Sequence, residues 1–453
     1  MTPLSRAGAA PLRRLDSRMS RRGLLGGGVL AGVLAGVLAA SGVPLAARAR
    51  GGVLRLGLAG PVPSGPGPAW GAARRAVPIL LAVHDTLTAI GTSGDIAGEL
   101  ARSWEAGSGA RVWRFALRDG VAFHDGSPLT PQDVLASFAR HREGPGASWL
   151  MARIEEMRAD GPMGLVLRLR EGDPDLPFHL ADPRLVVGPG GRVEGVGTGL
   201  YRLARDQPPG RLRLDRVAAH WKDGRAGWFD AVEARWLPDP RARLDAGLAG
   251  EVDAIDPLPP MLLAEARAAG LMVAEAAGPR QLHVRWPEGA DPALAALLPR
   301  AVDRLPLALG WGGAPAADHP LGPAHTAFAA DIAAPAFDPE VAAWLGRRAG
   351  LDLARDLVLA PWQGRATEDA TFGAALAGPW GAAAPALAAL LGNGAKGTDL
   401  WREAQRVAAG AGVVAAAHLP QRTPHAARLG HDAVSGLGPL DAGRLAERWW
   451  LIA

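Results

Sequence analysis

The sequence predicts an α/β protein, and three observations carry that reading. Stretches in which apolar and polar residues alternate with period two are interleaved with capped helical stretches, with no strict repeat between them. At 453 residues the chain is long enough for two or three domains with large cores. Hydrophobic residues make up 48% and tryptophans number 15, which argues for packed domains despite the excess of glycine and proline.

The chain opens on an address. In "SRRGLLGGGVLAGVLAGVLAASG" the pair Arg21-Arg22 precedes an apolar, glycine-softened stretch, and Ala47-Arg48-Ala49 offers a small-x-small cleavage pattern. The pattern predicts a signal peptide over residues 1–49, similar to the twin-arginine type and cleaved after Ala49. An uncleaved anchor is the alternative, but Leu24–Ala40 falls short of the roughly 20 residues a span requires. The expected location of the mature protein is the periplasm. With no cysteine anywhere, a lipid-anchored form, disulfides, thiolate metal sites and thiol nucleophiles are excluded.

The formal charge of +4 belongs to the leader. Residues 1–49 hold seven arginines against Asp16, which leaves 42 of 49 basic and 44 of 45 acidic side chains in the remainder. No basic run survives there, so nucleic acid is not an expected partner. Lys222 and Lys396 are the only lysines and Tyr201 the only tyrosine, which reads as codon bias.

Beyond the leader, "GVLRLGLAG" reads as a strand entering a Gly/Pro-rich loop, and "VHDTLTAIGTSGDIAGELARSWE" as a helix end, a turn and a second short helix. Trp113, Phe115 and Leu117 alternate with polar neighbours as a half-buried strand. Asp119-Gly120 then signals a hairpin, with Val121 and Phe123 on a returning strand. Thr130 stands as N-cap, Pro131 opens a helix, and Val134, Leu135 and Phe138 form its apolar face. Strands are expected at 164–170, 201–204, after "QPPG", through Trp236, and at "EVDAI". Between the last two, Asp239 caps a helix whose Leu244 and Leu248 share a face. From about 290 the chain reads as Ala/Leu-rich helix.

His124-Asp125-Gly126 falls between a strand end and a helix start. No further ligands converge on it by local spacing, and no Ser or Cys stands by as nucleophile, so it reads as a turn. No HExxH, GxSxG, P-loop or GxGxxG motif occurs in a supporting context.

"VHDTLTAIGTSGDIAGELARSWE" followed by "WRFALRDGVAFHDGSPLTPQDVLASFAR" resembles the N-terminal signature of the extracellular solute-binding proteins of family 5. These are the dipeptide, oligopeptide and nickel binding group of ABC importers. "GTGLYRL" at 197–203 is similar to the family's Gly-Thr-Gly-Pro-Tyr entry, with Leu200 replacing proline. Residues 219–256, "PRAVDRLPLALG" at 299–310 and the stretch 399–437 with its following "RWW" resemble later family segments in the family's order. The resemblance implies a two-lobed periplasmic-binding-protein fold of class II, cluster C-like. It would have an extra subdomain on lobe one and a shortened lobe two. Lobe one would take 50–280, with the subdomain at about 75–185, lobe two 281–424, and the C-terminal return 425–453.

The function so implied is capture of a small, peptide-like solute between the lobes and delivery to ABC permease subunits in the membrane. The expected protein is a monomer without cofactor, metal or catalysis. Alternatives are a degenerate member acting as a sensor or assembly subunit, and a secreted hydrolase. For the ligand surface the tryptophans Trp70, Trp286, Trp362 and Trp380 are singled out, each a flat face with one N–H donor. Arg285 is added as a bidentate partner for a carboxylate. Trp104, Trp113, Trp236, Trp449 and Trp450 are assigned to cores. Peptide binders of the family carry a Gly-Trp…Asp-Tyr-Pro-Asp-Pro stretch whose aspartate meets the peptide amine. Here Trp380 stands, but Ala382, Ala383 and Ala384 replace the acids, with Asp369 a substitute charge. Ordinary di- and tripeptides are therefore expected to bind weakly.

Overall fold

The computed structural model describes residues 48–60, 77–142, 147–208, 210–285, 298–310, 313–316, 336–348, 358–362, 413–435 and 439–452. It is a mixed α/β structure built on a nine-stranded sheet. The order along that sheet is Val358–Trp362, Met272–Arg285, Val413–His425, Ala254–Ile255, Val53–Leu58, Ala231–Trp236, Leu212–Arg216, Tyr201–Leu203. Ala314–Pro315 pairs Val413–His425 off this path.

At its centre Val53–Leu58 runs parallel to both neighbours, Ala231–Trp236 and Ala254–Ile255. Its alternation explains its place. Leu54, Leu56 and Leu58 are fully buried on one face, in the main core with Phe229, Val232 and Trp449. Gly57 lies on the other face, where a Cβ would stand 2.9 Å from Ile255 Cγ2, so only glycine lets the crossover element settle there. The helix Pro240–Leu248 opens as expected: Asp239 accepts from the backbone N–H groups of Arg241 and Ala242 at 3.2 and 3.1 Å. Its apolar face differs from expectation. Leu244 is buried but Leu248 is 39% exposed, because Arg243, Ala246 and Gly247 fill the buried side.

A four-stranded antiparallel sheet, Ala101–Ala106, Val112–Leu117, Gly164–Leu169 and Ile154–Ala159, carries a second core with Phe115, Phe138 and Leu150. The sequence reading is corrected here in two places. The second short helix is absent: Thr88–Ile90 pairs with Ile96–Gly98, and Ala101–Ala106 is a strand. The returning strand after Asp119-Gly120 is absent too, because both edges of Val112–Leu117 are taken by Ala101–Ala106 and Gly164–Leu169. Residues 121–129 form their own small loop instead, with Phe123 N–H donating to Ser127 O and Leu129 N–H to Val121 O. The next helix, Pro131–Ala139, has its capping box in Thr130 and Asp133.

From 298 onward the described helices are Leu298–Ala301, Arg304–Gly310, Pro339–Arg348, Pro439–Ala442 and Leu445–Arg448, but strands stand among them, notably Val358–Trp362 and Val413–His425. Trp113, Trp449 and Trp450 are buried, and Trp104 and Trp236 pack partly buried against the cores. The C-terminal strand Trp450–Ile452 pairs Leu429–Gly430 on one side and Arg48–Ala49 on the other. Among the described residues no helix is long and apolar enough to cross a membrane.

Candidate ligand cleft

Three parallel strands with the first in the middle define a topological switch point. The chain leaves Val53–Leu58 toward both sides, and at the carboxyl edge of such strands the loops diverge and leave a crevice. Here that edge is Ala59, Leu237-Pro238 and Asp256-Pro257, tied by Leu237 N–H to Leu58 O at 2.7 Å and Asp256 N–H to Gly57 O at 2.9 Å. Two buried charged side chains hold the loops open at fixed spacing. Asp256 accepts the Ala59 N–H at 2.7 Å, and the Arg243 guanidinium donates to the carbonyls of Leu237, Pro238 and Pro257 at 2.8, 2.9 and 3.3 Å.

From this edge the sheet continues through two long antiparallel strands, Met272–Arg285 and Val413–His425, whose ladder breaks between Ala276 and Arg280. The sequence accounts for the break: Gly278-Pro279 on one strand lies against Pro420 on the other, and proline has no N–H to give. Up to the break, His425, Thr423 and Gln421 alternate onto the face of the main core, opposite Ala254, Ala274 and Ala276. All three are nearly fully buried. His425 stacks edge-on against Trp449 at 4.9 Å, and burial pushes its imidazole down to about 4.

Of the residues read from the sequence as ligand contacts, Arg285 and Trp362 lie in adjacent strands of this sheet. Arg285 is in register with Val358 and Val413, and Trp362 with Gln281. Four rungs separate them, about 13 Å of strand, so the backbone does not bring them together. Trp70, Trp286 and Trp380, and with them Asp369 and Ala382 to Ala384, lie outside the described residues.

A second cluster gathers charge away from this edge. Lys222 Nζ donates to Asp85 Oδ1 at 2.7 Å, to Glu447 Oε1 at 2.8 Å and to Glu99 Oε1. Arg444 Nη1 adds Glu99 at 3.0 Å and Glu447 at 2.9 Å, and Thr198 Oγ1 donates to Asp85 Oδ2 at 2.8 Å. Asp85, Glu99 and Glu447 form the one trio among the described residues whose oxygens, within 4.8 Å of one another, are close enough to share a metal ion. The Lys222 ammonium already reaches all three. Burial opposes charge on Asp85, Glu447 and Lys222, yet the Lys222 ammonium holds Asp85 and, with Arg444, Glu447 below their ordinary range, and the carboxylates hold Lys222 above its own. Asp85 and Glu447, held in their charged forms beside the Lys222 ammonium, act as an ionic joint.

His124 belongs to the surroundings of that joint. Its Nδ1 accepts the Gly197 N–H at 3.3 Å and its Nε2 lies 2.9 Å from Gly199 O, while Asp125 accepts from Ser127 N–H at 3.0 Å. A Cβ on Gly197 would stand 2.1 Å from Val83 O, which explains the glycine. So His124 grips the Gly-Thr-Gly turn, a long-range role its local spacing did not reveal.

Sequence reasoning missed Gln421, Thr423, Arg243, Asp256 and the Lys222 joint. Two signals were present: polar residues at period two in "LPQRTPH", and a lysine in a chain that otherwise uses arginine.

The fold thus joins a sheet with a switch point to a broken two-strand crossing. Residues 95–359 match the bacterial extracellular solute-binding proteins of family 5 in their middle region, and the chain belongs to that family. YhjP, an uncharacterized protein of Bacillus subtilis, is 36% identical over 30% of this chain and 23% of its own length. The probable peptide ABC transporter periplasmic-binding protein y4tO of Sinorhizobium fredii is 26% identical over 38% of this chain and 37% of its own. The chain thus spans well under half the length of these relatives. The fold is that of DppA of Helicobacter pylori, an ABC transporter-associated periplasmic binding protein solved with the peptide STSA. The TM-score is 0.72 at 17% identity, over 90% of this chain and 99% of that one.

Proposed function

We propose that the chain is the exported solute-capturing component of an ABC importer, closing two lobes around a small peptide-like solute and presenting it to the permease subunits. The observation that carries this is the switch-point edge of the parallel strands, from which a broken two-strand ladder leads on to further structure. Such a crossing is where one body bends against another, and a capture protein needs a bistable hinge and directed polar groups, not a nucleophile. The lobes are taken as 50–280 with 425–453, and 281–424. The protein acts in the periplasm as a monomer, without turnover.

The solute has a blocked or absent amine. The acids that meet a peptide amine in the family are replaced by Ala382, Ala383 and Ala384. An ammonium that sheds water without a charged partner forgoes about 1.5–3 kcal/mol, or roughly tenfold to a hundredfold in affinity. Calorimetry of the exported protein with Met-Leu and with its N-acetyl form tests this. The acetylated peptide is expected to bind at least as well. Tight binding of free Met-Leu, lost on acetylation, overturns the amine assignment. Turnover of either peptide overturns the capture reading itself.

A further inference from the structure

We propose that Gln421 is a specificity-determining donor to the captured solute, with the Thr423 hydroxyl beside it, and that the solute presents a carbonyl or carboxylate oxygen there. The inference rests on the capture reading and names the contact within it. Gln421 is 4% exposed, yet its Nε2 makes no hydrogen bond among the described residues. A buried amide without a partner destabilises the fold, and native structures keep few such groups. This one is also in the wrong place for an accident. It is the last regular rung before the ladder breaks, on the face that leads past the carboxyl edge of Val53–Leu58, Ala59 and Asp256.

Its cross-strand neighbours leave it room. Ala276 stands opposite Gln421 and Ala274 opposite Thr423, two of the smallest side chains, so the ladder puts a shallow polar step beside the edge where loops diverge. The charged groups nearby are already engaged: Arg422 turns to Glu275 on the opposite face, Arg243 holds backbone carbonyls and Asp256 the Ala59 N–H. What remains on this face is a neutral donor pair. A neutral amide hydrogen-bonds a peptide carbonyl or one oxygen of a carboxylate without the charge that would exclude uncharged solutes.

The test uses the exported protein and three variants, Gln421→Leu, Gln421→Glu and Gln421→Ala. The probes are the tetrapeptide Ser-Thr-Ser-Ala, N-acetyl-Met-Leu, and its C-terminal amide. Wild type is expected to bind at least one probe. Gln421→Leu should weaken that binding about tenfold, the worth of one hydrogen bond. The ligand-free protein should melt no lower than wild type, since leucine removes the uncompensated polar group. Gln421→Glu keeps the size but replaces the donor by an acceptor, and should weaken N-acetyl-Met-Leu more than its amide. Gln421→Ala covers the case in which leucine does not fit. Variants that bind like wild type overturn this inference and leave the capture reading standing, as does a melting loss in all three that tracks the affinity loss. A wild type that binds none of the probes overturns the capture reading, and this inference with it.

Discussion

The ionic joint around Lys222 and the polar step at Gln421 are buried alike, yet one is saturated and the other is not. Every carboxylate of the joint meets a cation, whereas the Gln421 amide meets nothing among the described residues. Buried polarity therefore does two jobs in this molecule. Where partners are complete it fixes geometry; where one is missing it waits for a partner from outside. The joint draws on residues far apart in sequence, Asp85, Glu99, Lys222 and Arg444, so it fastens stretches near 85, 99, 222 and 444 to one another.

The contrast is broken most directly at Lys222. Lys222→Met leaves Asp85 without its ammonium and Glu99 and Glu447 with Arg444, and breaking a buried pair by removing one partner costs about 3–5 kcal/mol. Urea unfolding of the exported protein should show that loss. A loss under about 1 kcal/mol would mean the joint is as wet as a surface pair, and its difference from Gln421 would vanish.

Acid should strain the joint's surroundings before the joint itself. Burial holds His84 at about 3, with His124 and Arg140 adding repulsion, and His141 and His425 at about 4. These histidines are neutral when folded and take up protons near 6.5 when unfolded, so the unfolded chain binds more protons below that pH. Stability is thus full above pH 6.5 and declines toward pH 4. Asp85 and Glu447, held down by Lys222, contribute stability above the ordinary carboxylate range, lost only as pH falls through their lowered values. Melting temperature against pH should be flat above 7, fall from 6.5 to 4, and steepen below. A rise between 7 and 5 would show that the buried histidines are charged in the fold.

The smallest effect sharpens the comparison from the middle. His124→Ala should cost about 1–2 kcal/mol, because Gly197 N–H and Gly199 O lose their ring partner. Solute affinity should not change, since the ring faces the Gly-Thr-Gly turn and not the cleft edge. A loss of affinity at constant stability would bring the turn into the binding site.

Much of the fold was legible wherever local chemistry decides. Thr130-Pro131 and Asp239-Pro240 mark helix starts because capping is settled within four residues, and the alternation of Trp113, Phe115 and Leu117 marks a strand because one face is buried. The errors fall where a distant partner decides. Ala101–Ala106 has a helical composition but is claimed by Val112–Leu117, and residues 121–123 were denied a hairpin because that same strand was already flanked. The site was less legible still. Tryptophan stands out in a sequence by its surface chemistry, but what singles out Gln421 is a missing partner at the last rung before the ladder breaks. Only the packed chain reveals an unmet bond.

One pairing at the margin of the molecule ties together two stretches that are distant in sequence. Arg48–Ala49 forms an edge strand against Leu451 and Ile452. Two rungs are a weak clasp that frays often, so this margin opens well before the sheets behind it, and whatever pulls on either stretch is felt first by the other.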